Sequence, residues 1–167
     1  MSVIIGIDPH KASHMAVAID DEEQSLGVLE VVADRRQTSR LLAWAELLGA
    51  ERTWAIESAG GLGRLLSQEL VAAGEHVVDV PPTLSARVRL LGSSKTTKND
   101  RHDALSTAVA GLRHCGLRTV ARWTADGVAV AGGPLRRSGR GSDAGRVPVT
   151  CVAAGTRGGW RASSIVG

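Results

Sequence analysis

Val3-Ile4-Ile5-Gly6-Ile7-Asp8 decides how this chain is read. Four β-branched residues in six favour an extended strand. No polar side chain interrupts the run before Asp8, so neither face of that strand is suited to water. Such a strand belongs in the middle of a sheet with helices on both sides. It ends on a carboxylate, which is costly to bury unless something partners it.

The pattern continues outward from this strand. Residues 12–19 and 26–33 read as two further strands, with the acidic turn 20–23 between them. Residues 36–49 carry Leu41, Leu42, Trp44, Ala45, Leu47 and Leu48 at helical spacing and stop at Gly49. Thr53-Trp54-Ala55-Ile56-Glu57 is a strand that, like the first, ends on an acid. A helix over 62–73 follows, closed by Gly74, then a fifth strand over 76–80 stopped by Pro81 and Pro82. A short helix over 83–91 and a longer one over 100–113 complete the patterned region. A three-strand meander followed by alternating helices and strands predicts an α/β fold, a mixed five-stranded sheet with helices on its faces. That layout resembles the ribonuclease H-like superfamily.

Beyond Val120 the periodicity fails. Residues 121–167 hold 10 Gly and 7 Arg against 2 Asp, a net charge of +5, whereas residues 1–120 hold 13 Lys and Arg against 15 Asp and Glu, a net of −2. The overall +3 is therefore a property of the tail and a poor argument for DNA binding by the rest. The chain divides into a well-patterned domain over 1–120 and a Gly/Arg-rich tail over 121–167. The tail reads either as a basic nucleic-acid-binding segment or as a GC-rich gene translated out of frame. Composition favours the second, and either way disorder is expected. Four Trp with no Phe or Tyr leave Leu, Val, Ile and Ala to build the core. No apolar run reaches the ~18 residues that span a bilayer, and no secretory leader is legible, so a cytoplasmic location is expected. Cys115 and Cys151 have no metal-ligand spacing and are expected to stay reduced.

Four acids carry the chemistry. Asp8 and Glu57 end strands, and Asp100 and Asp103 lie three apart at the start of a helix, projecting from one face. Each has a bland reading by itself: Asp100 as a helix cap, Asp103 as a partner of the helix dipole, Asp8 before Pro9 as turn chemistry, Glu57 as an ion-pair partner. Taken together they suggest one pocket at the C-terminal edge of the sheet. Mutually repelling carboxylates call for a hard divalent cation, Mg²⁺ or Mn²⁺, which could activate water at a phosphodiester.

The segments Gly6–Lys11 (GIDPHK), Ala55–Gly63 (AIESAGGLG) and Lys98–Ala104 (KNDRHDA) resemble the N-terminal DEDD domain of transposases of the insertion sequence 110 family, with Piv-type DNA invertases as relatives. The resemblance covers roughly residues 3–120. It implies a RuvC-like nuclease domain and a catalytic, metal-binding set of Asp8, Glu57, Asp100 and Asp103. It also implies DNA as substrate, a guide RNA, multimers on DNA, and a second domain bearing a nucleophilic serine. After Val120 neither the helical linker nor that second domain is legible. The resemblance therefore speaks for ancestry and metal chemistry, not for complete transposition by this polypeptide. Two alternatives remain: a non-catalytic transposase remnant, and an actin-like ATPase fragment, which would also open with a strand ending in Gly-x-Asp.

Around the acids, Lys11, Lys95, Lys98 and Arg101 are candidate phosphate contacts, weighed against simply solvated basic loops. His10 is placed near the metal pocket and His14 in a solvated turn. His102 should face away from the acids. Ser58–Gly63 reads as the backbone bend behind Glu57, and Arg87 and Arg89 as residues that bind a nucleic-acid backbone.

Overall fold

The computed structural model describes residues 2–92, 100–123 and 129–130. The opening run forms β1 (Val3–Pro9), followed by β2 (Ser13–Ile19) and β3 (Ser25–Val32). Next come α1 (Gln37–Glu46), β4 (Arg52–Glu57), α2 (Arg64–Ala72), β5 (His76–Val80), α3 (Pro82–Gly92) and α4 (Asp100–Arg113). Three two-residue strands close the list: β6 (Arg118–Thr119), β7 (Arg122–Trp123) and β8 (Ala129–Val130).

The main sheet has the order β3-β2-β1-β4-β5-β6. β1 pairs antiparallel with β2 and parallel with β4, and β4 pairs parallel with β5. The mixed sheet is as the sequence predicts, with one strand more. β6 joins β5 antiparallel through only two residue pairs, too few to show a hydrophobic period in sequence. β7 and β8 form a separate two-stranded ribbon.

All seven residues of β1 are buried, as a strand covered on both faces requires. Alternation sends Val3, Ile5 and Ile7 to one side, where they meet Leu41 and Ala45 of α1 and Leu66 and Leu70 of α2. Ile4 points the other way, into a cluster with Val17, Ala55, Val78 and Val80 against Ala104 and Ala108 of α4. At the edge away from the strand-end acids, Trp54 is fully buried and its indole donates to Glu75 Oε2 at 2.7 Å. Arg52 pairs with the same carboxylate at 2.6 Å, so β4 is tied to the start of β5.

Gly6 sets how closely α4 approaches. A Cβ there would lie 2.2 Å from the Ala104 carbonyl oxygen and 2.3 Å from the Ala108 nitrogen. The helix backbone therefore rests on the β1 backbone itself, which only glycine permits. Gly111 does the same one helical stretch on, where a Cβ would meet that of Ala55 at 2.6 Å.

One expectation is corrected. His14 is not in a solvated turn: it lies in β2, buried, with Nε2 2.9 Å from Gln37 Oε1. Its register opposite Val31 turns it toward the α1 side of the sheet, and burial holds its pKa below the ordinary value. The expectations for most of the tail, and for residues 93–99, lie outside the described residues. Among the described residues no helix is long and apolar enough to cross a membrane.

Candidate metal centre

β1 and β4 are adjacent and parallel, so their C-terminal ends share one edge of the sheet. Side-chain alternation then fixes which face each acid takes. Asp8 follows Ile4 and Gly6 to the α4 side, and Glu57 follows Ala55 to the same side. α4 begins over this edge, with Asp100 as its first residue and Asp103 one turn later. The close approach at Gly6 brings that turn down onto the strand ends.

The electrostatics of Asp8 agree with that placement. The Asp8 carboxyl is pushed up to about 6, first by burial and then by Glu57, Asp103 and Asp100, with His10 pulling the other way. Asp8 and Asp103 are buried, whereas Asp100 stands more open, at 56% side-chain exposure. Thr107 Oγ1 lies 3.3 Å from Glu57 Oε2, 3.0 Å from the Asp103 carbonyl and 3.2 Å from Ser85 Oγ. Its single proton serves one acceptor at a time, so α4 is linked to both the Glu57 carboxylate and α3.

His10 belongs to this group. Its Nε2 is 3.1 Å from Asp8 Oδ2 and 3.6 Å from Asp100 Oδ1. That nitrogen is buried yet makes no aligned hydrogen bond, so the short distance reflects proximity without donor geometry. Donor atoms of Asp8, His10 and Asp100 all fall within 4.8 Å of one another. Crowded carboxylate oxygens beside an unsatisfied ring nitrogen suit a cation, and the oxygen-rich donor set fits Mg²⁺ or Mn²⁺.

Arg89 corrects another reading. Sequence placed it on a nucleic-acid backbone, but from α3 its guanidinium pairs with Asp103. Its pKa is raised by Asp103 first, and by Glu57 and Asp8 as well. Arg87 instead lines a shallow groove with His114 and Arg118 on the far side of β5. Lys11 is exposed in the turn after β1, and Arg101 is exposed on the first turn of α4. Lys95 and Lys98 lie outside the described residues. His102 is exposed and lines a groove with Leu105 and Val109, away from the four acids.

Sequence reading missed Asp79. Its Oδ1 accepts from the Ala59 backbone at 2.8 Å, and its Oδ2 takes Arg118 at 2.8 Å, which fixes the bend behind Glu57. Ser58 in that bend adopts a φ of 52°, in the left-handed region. The signal was available: Asp79 is an acid inside the otherwise apolar run of β5, and such a residue needs a nearby donor. Thr107 could likewise have been found, four residues after Asp103 on the same helix face.

Residues 5–128 match the family model of DEDD transposases of insertion sequence 110, described as a transposase. The chain belongs to this transposase family. That sets aside the actin-like ATPase alternative. Among curated relatives, an uncharacterized 44.8 kDa protein of insertion element IS116 from Streptomyces clavuligerus is 35% identical over 98 residues, covering 58% of this chain and 24% of that protein. An uncharacterized 42 kDa protein of insertion element IS900 from Mycobacterium paratuberculosis is 33% identical over 113 residues, covering 65% and 28%. The matched region thus spans about a quarter of the length of these relatives. Among solved structures, Thermus thermophilus RuvC in complex with a Holliday junction substrate aligns with a TM-score of 0.50 at 20% identity, covering 66% of this chain and 92% of that one. A second RuvC structure from the same organism gives 0.50 at 19%, covering 70% and 99%. The family member therefore has the ribonuclease H-like, RuvC-like fold expected from its strand order.

Proposed function

We propose that this chain carries the metal-dependent DNA cleavage and strand-transfer half of an insertion-sequence transposase. Asp8, Glu57, Asp100 and Asp103 are the catalytic ligands for Mg²⁺ or Mn²⁺. One observation supports this reading above the others: burial first, and then the charges of Glu57, Asp103 and Asp100, push the Asp8 carboxyl up to about 6, so acids from a second strand and a helix all bear on Asp8. Such ions, when bound, activate a water and stabilise the leaving oxygen of a phosphodiester.

The chain's own residues prepare the site in three ways. Burial of Asp8 and Asp103 keeps water from screening them. Thr107 and the Asp79-held bend keep Glu57 aimed at the cluster. Lys11, Lys95, Lys98 and Arg101 are assigned to phosphates of the DNA, which the Holliday junction bound by the RuvC neighbour makes a natural partner for this fold. No described residue speaks for a guide RNA or for a multimer on DNA, the other partners implied by the resemblance. A serine-bearing second domain belongs to the wider family pattern, and strand transfer is assigned to this half acting with such a domain.

Calorimetric titration of Mn²⁺ into the chain tests the reading. Asp8→Asn and Asp103→Asn should each weaken binding at least about tenfold, the loss of a first-rank ligand, with circular dichroism unchanged. Wild-type affinity in both variants would end the shared-site idea.

A further inference from the structure

Trp123 has no role in the acid cluster, yet the fold holds it with care. Trp54 is fully buried, whereas Trp123 is 56% exposed. Its strand is clamped at two points by one side chain of α2. The Trp123 backbone N–H donates to Gln68 Oε1 at 3.0 Å, and Gln68 Nε2 donates to the Ala121 carbonyl at 3.1 Å. The Arg64 guanidinium carbon stands 4.8 Å from the centroid of the indole, covering one face of the ring. An indole fixed by its backbone and backed by a guanidinium, with more than half its surface meeting water, is poorly explained as core.

The surroundings say what would cover it. Arg64 is the first residue of α2, directly after the bend that follows Glu57. Within that bend, Gly60 packs against the Arg118 guanidinium, 3.6 Å from where a Cβ would stand. Arg118 and Arg122 are both exposed. The ring therefore stacks on one arginine at the start of α2, and the bend between Glu57 and that arginine packs against a second, Arg118, paired with Asp79. Aromatic faces interleaved with cations suit an unpaired base and its phosphates. Paired bases inside a duplex already stack on each other and offer no free face.

We propose that Trp123, backed by Arg64, is a stacking platform for an unpaired nucleobase of a single strand held beside the acid cluster. This rests on the reading of the chain as a nucleic-acid-cleaving domain. It adds a site that the four acids do not require. Single-stranded DNA and RNA share the chemistry that would be recognised.

The full chain is titrated against fluorescein-labelled oligo(dT) and oligo(U) of about 12 nucleotides, within the site sizes of known single-strand grooves, and against a blunt duplex of the same length. Trp123→Ala should weaken single-strand binding about 10- to 100-fold, the range measured for one lost stack. The duplex should change by less than about twofold. Trp123→Phe should keep most of the affinity and Trp123→Leu should not, because leucine restores apolar bulk without a π face. Arg64→Ala should weaken binding about fivefold, consistent with a cation–π backing. Loss on oligo(dT), on oligo(U) or on both supports the platform and identifies the strand. Unchanged single-strand affinity in Trp123→Ala, equal loss on the duplex, retention in Trp123→Leu, or no single-strand binding by the wild type overturns it. If Trp123→Ala fails to fold, the Phe and Leu pair and Arg64→Ala decide the question. Mn²⁺ affinity in the same preparations keeps the two ideas apart: intact metal binding with indifference to Trp123 removes the platform alone.

Discussion

At the scale of single residues, Asp8 is the group whose charge is least at ease. Its carboxyl titrates at about 6 in the fold, against an ordinary value of 3.8, because burial and three neighbouring acids disfavour the anion. The folded state therefore holds this proton more tightly than the unfolded chain does. Between about pH 4 and 6 stability falls as pH rises, and above 6 the full penalty is present. Asp8→Asn removes the charge and keeps the shape. In chelator-treated buffer the variant should melt above the wild type at pH 7 to 8, with the gap closing as pH drops through 6 and gone near 4. A gap independent of pH would mean that the acids do not repel as described. Protons and metal compete for the same oxygens, so Mn²⁺ affinity should also decline below about pH 6. Arg89 offers the complementary test. It neutralises a buried carboxylate, and Arg89→Leu leaves Asp103 facing other acids without its cation. The melting temperature should fall by about 4 °C or more, roughly the effect of one kcal/mol in a domain of this size. Arg89→Leu with Asp103→Asn should recover most of that loss, and a double variant no better than the single one would refute the pairing.

Among the secondary-structure elements, the decisive contact is α4 on β1. An alanine at position 6 must push the helix backbone away, since its Cβ would sit 2.2 Å from Ala104 O. Gly6→Ala should cost about 1–3 kcal/mol, the usual range for overpacking. It should also weaken Mn²⁺ binding, because Asp103 moves with the helix. Gly61→Ala is the control: its Cβ would meet Ser58 at an ordinary 3.5 Å, and chemical denaturation should show little change. An equal effect of the two substitutions would mean the close approach has no special standing. Most elements were legible because each carries a period: β-branched runs for the strands, leucines at helical spacing for α1 and α2. The two strand-end acids were legible for the same reason, since a charge closing an apolar run is conspicuous. The buried face of α4 was less so. Hydrophobic spacing alone would put its stripe on Ala104, Leu105, Ala108, Val109 and Leu112, yet Ser106 and Thr107 are buried while Leu105 and Leu112 are only half-buried. Small and hydroxylic residues face the sheet because the backbone must come close, and a hydrophobicity pattern rewards size instead. His14 and Arg89 were misread on similar grounds, because their partners Gln37 and Asp103 are distant in sequence and met only through the fold.

For the whole molecule, the question is how a region of net charge −2 meets a polyanion. Such a body has no diffuse positive field to draw nucleic acid in, so attraction must come from a few placed cations and from contacts that involve no charge. The two contributions separate under salt. Each phosphate neutralised on a single strand adds about 0.7 to the slope of log affinity against log salt, whereas base stacking releases no counterions. Trp123→Ala should therefore lower single-strand affinity by a similar factor at every salt concentration, giving a line parallel to that of the wild type. Arg64→Ala should flatten the line by up to about 0.7 if its guanidinium also reaches a phosphate, and leave it parallel if it serves only the indole. The seven arginines of residues 121–167 raise the slope of all three chains alike, so they cancel in the comparison. A Trp123→Ala line that converges on the wild type at high salt would show that its loss acts through charge. The exposed indole would then be a support for Arg64, and the single strand, if held at all, would be held by its backbone.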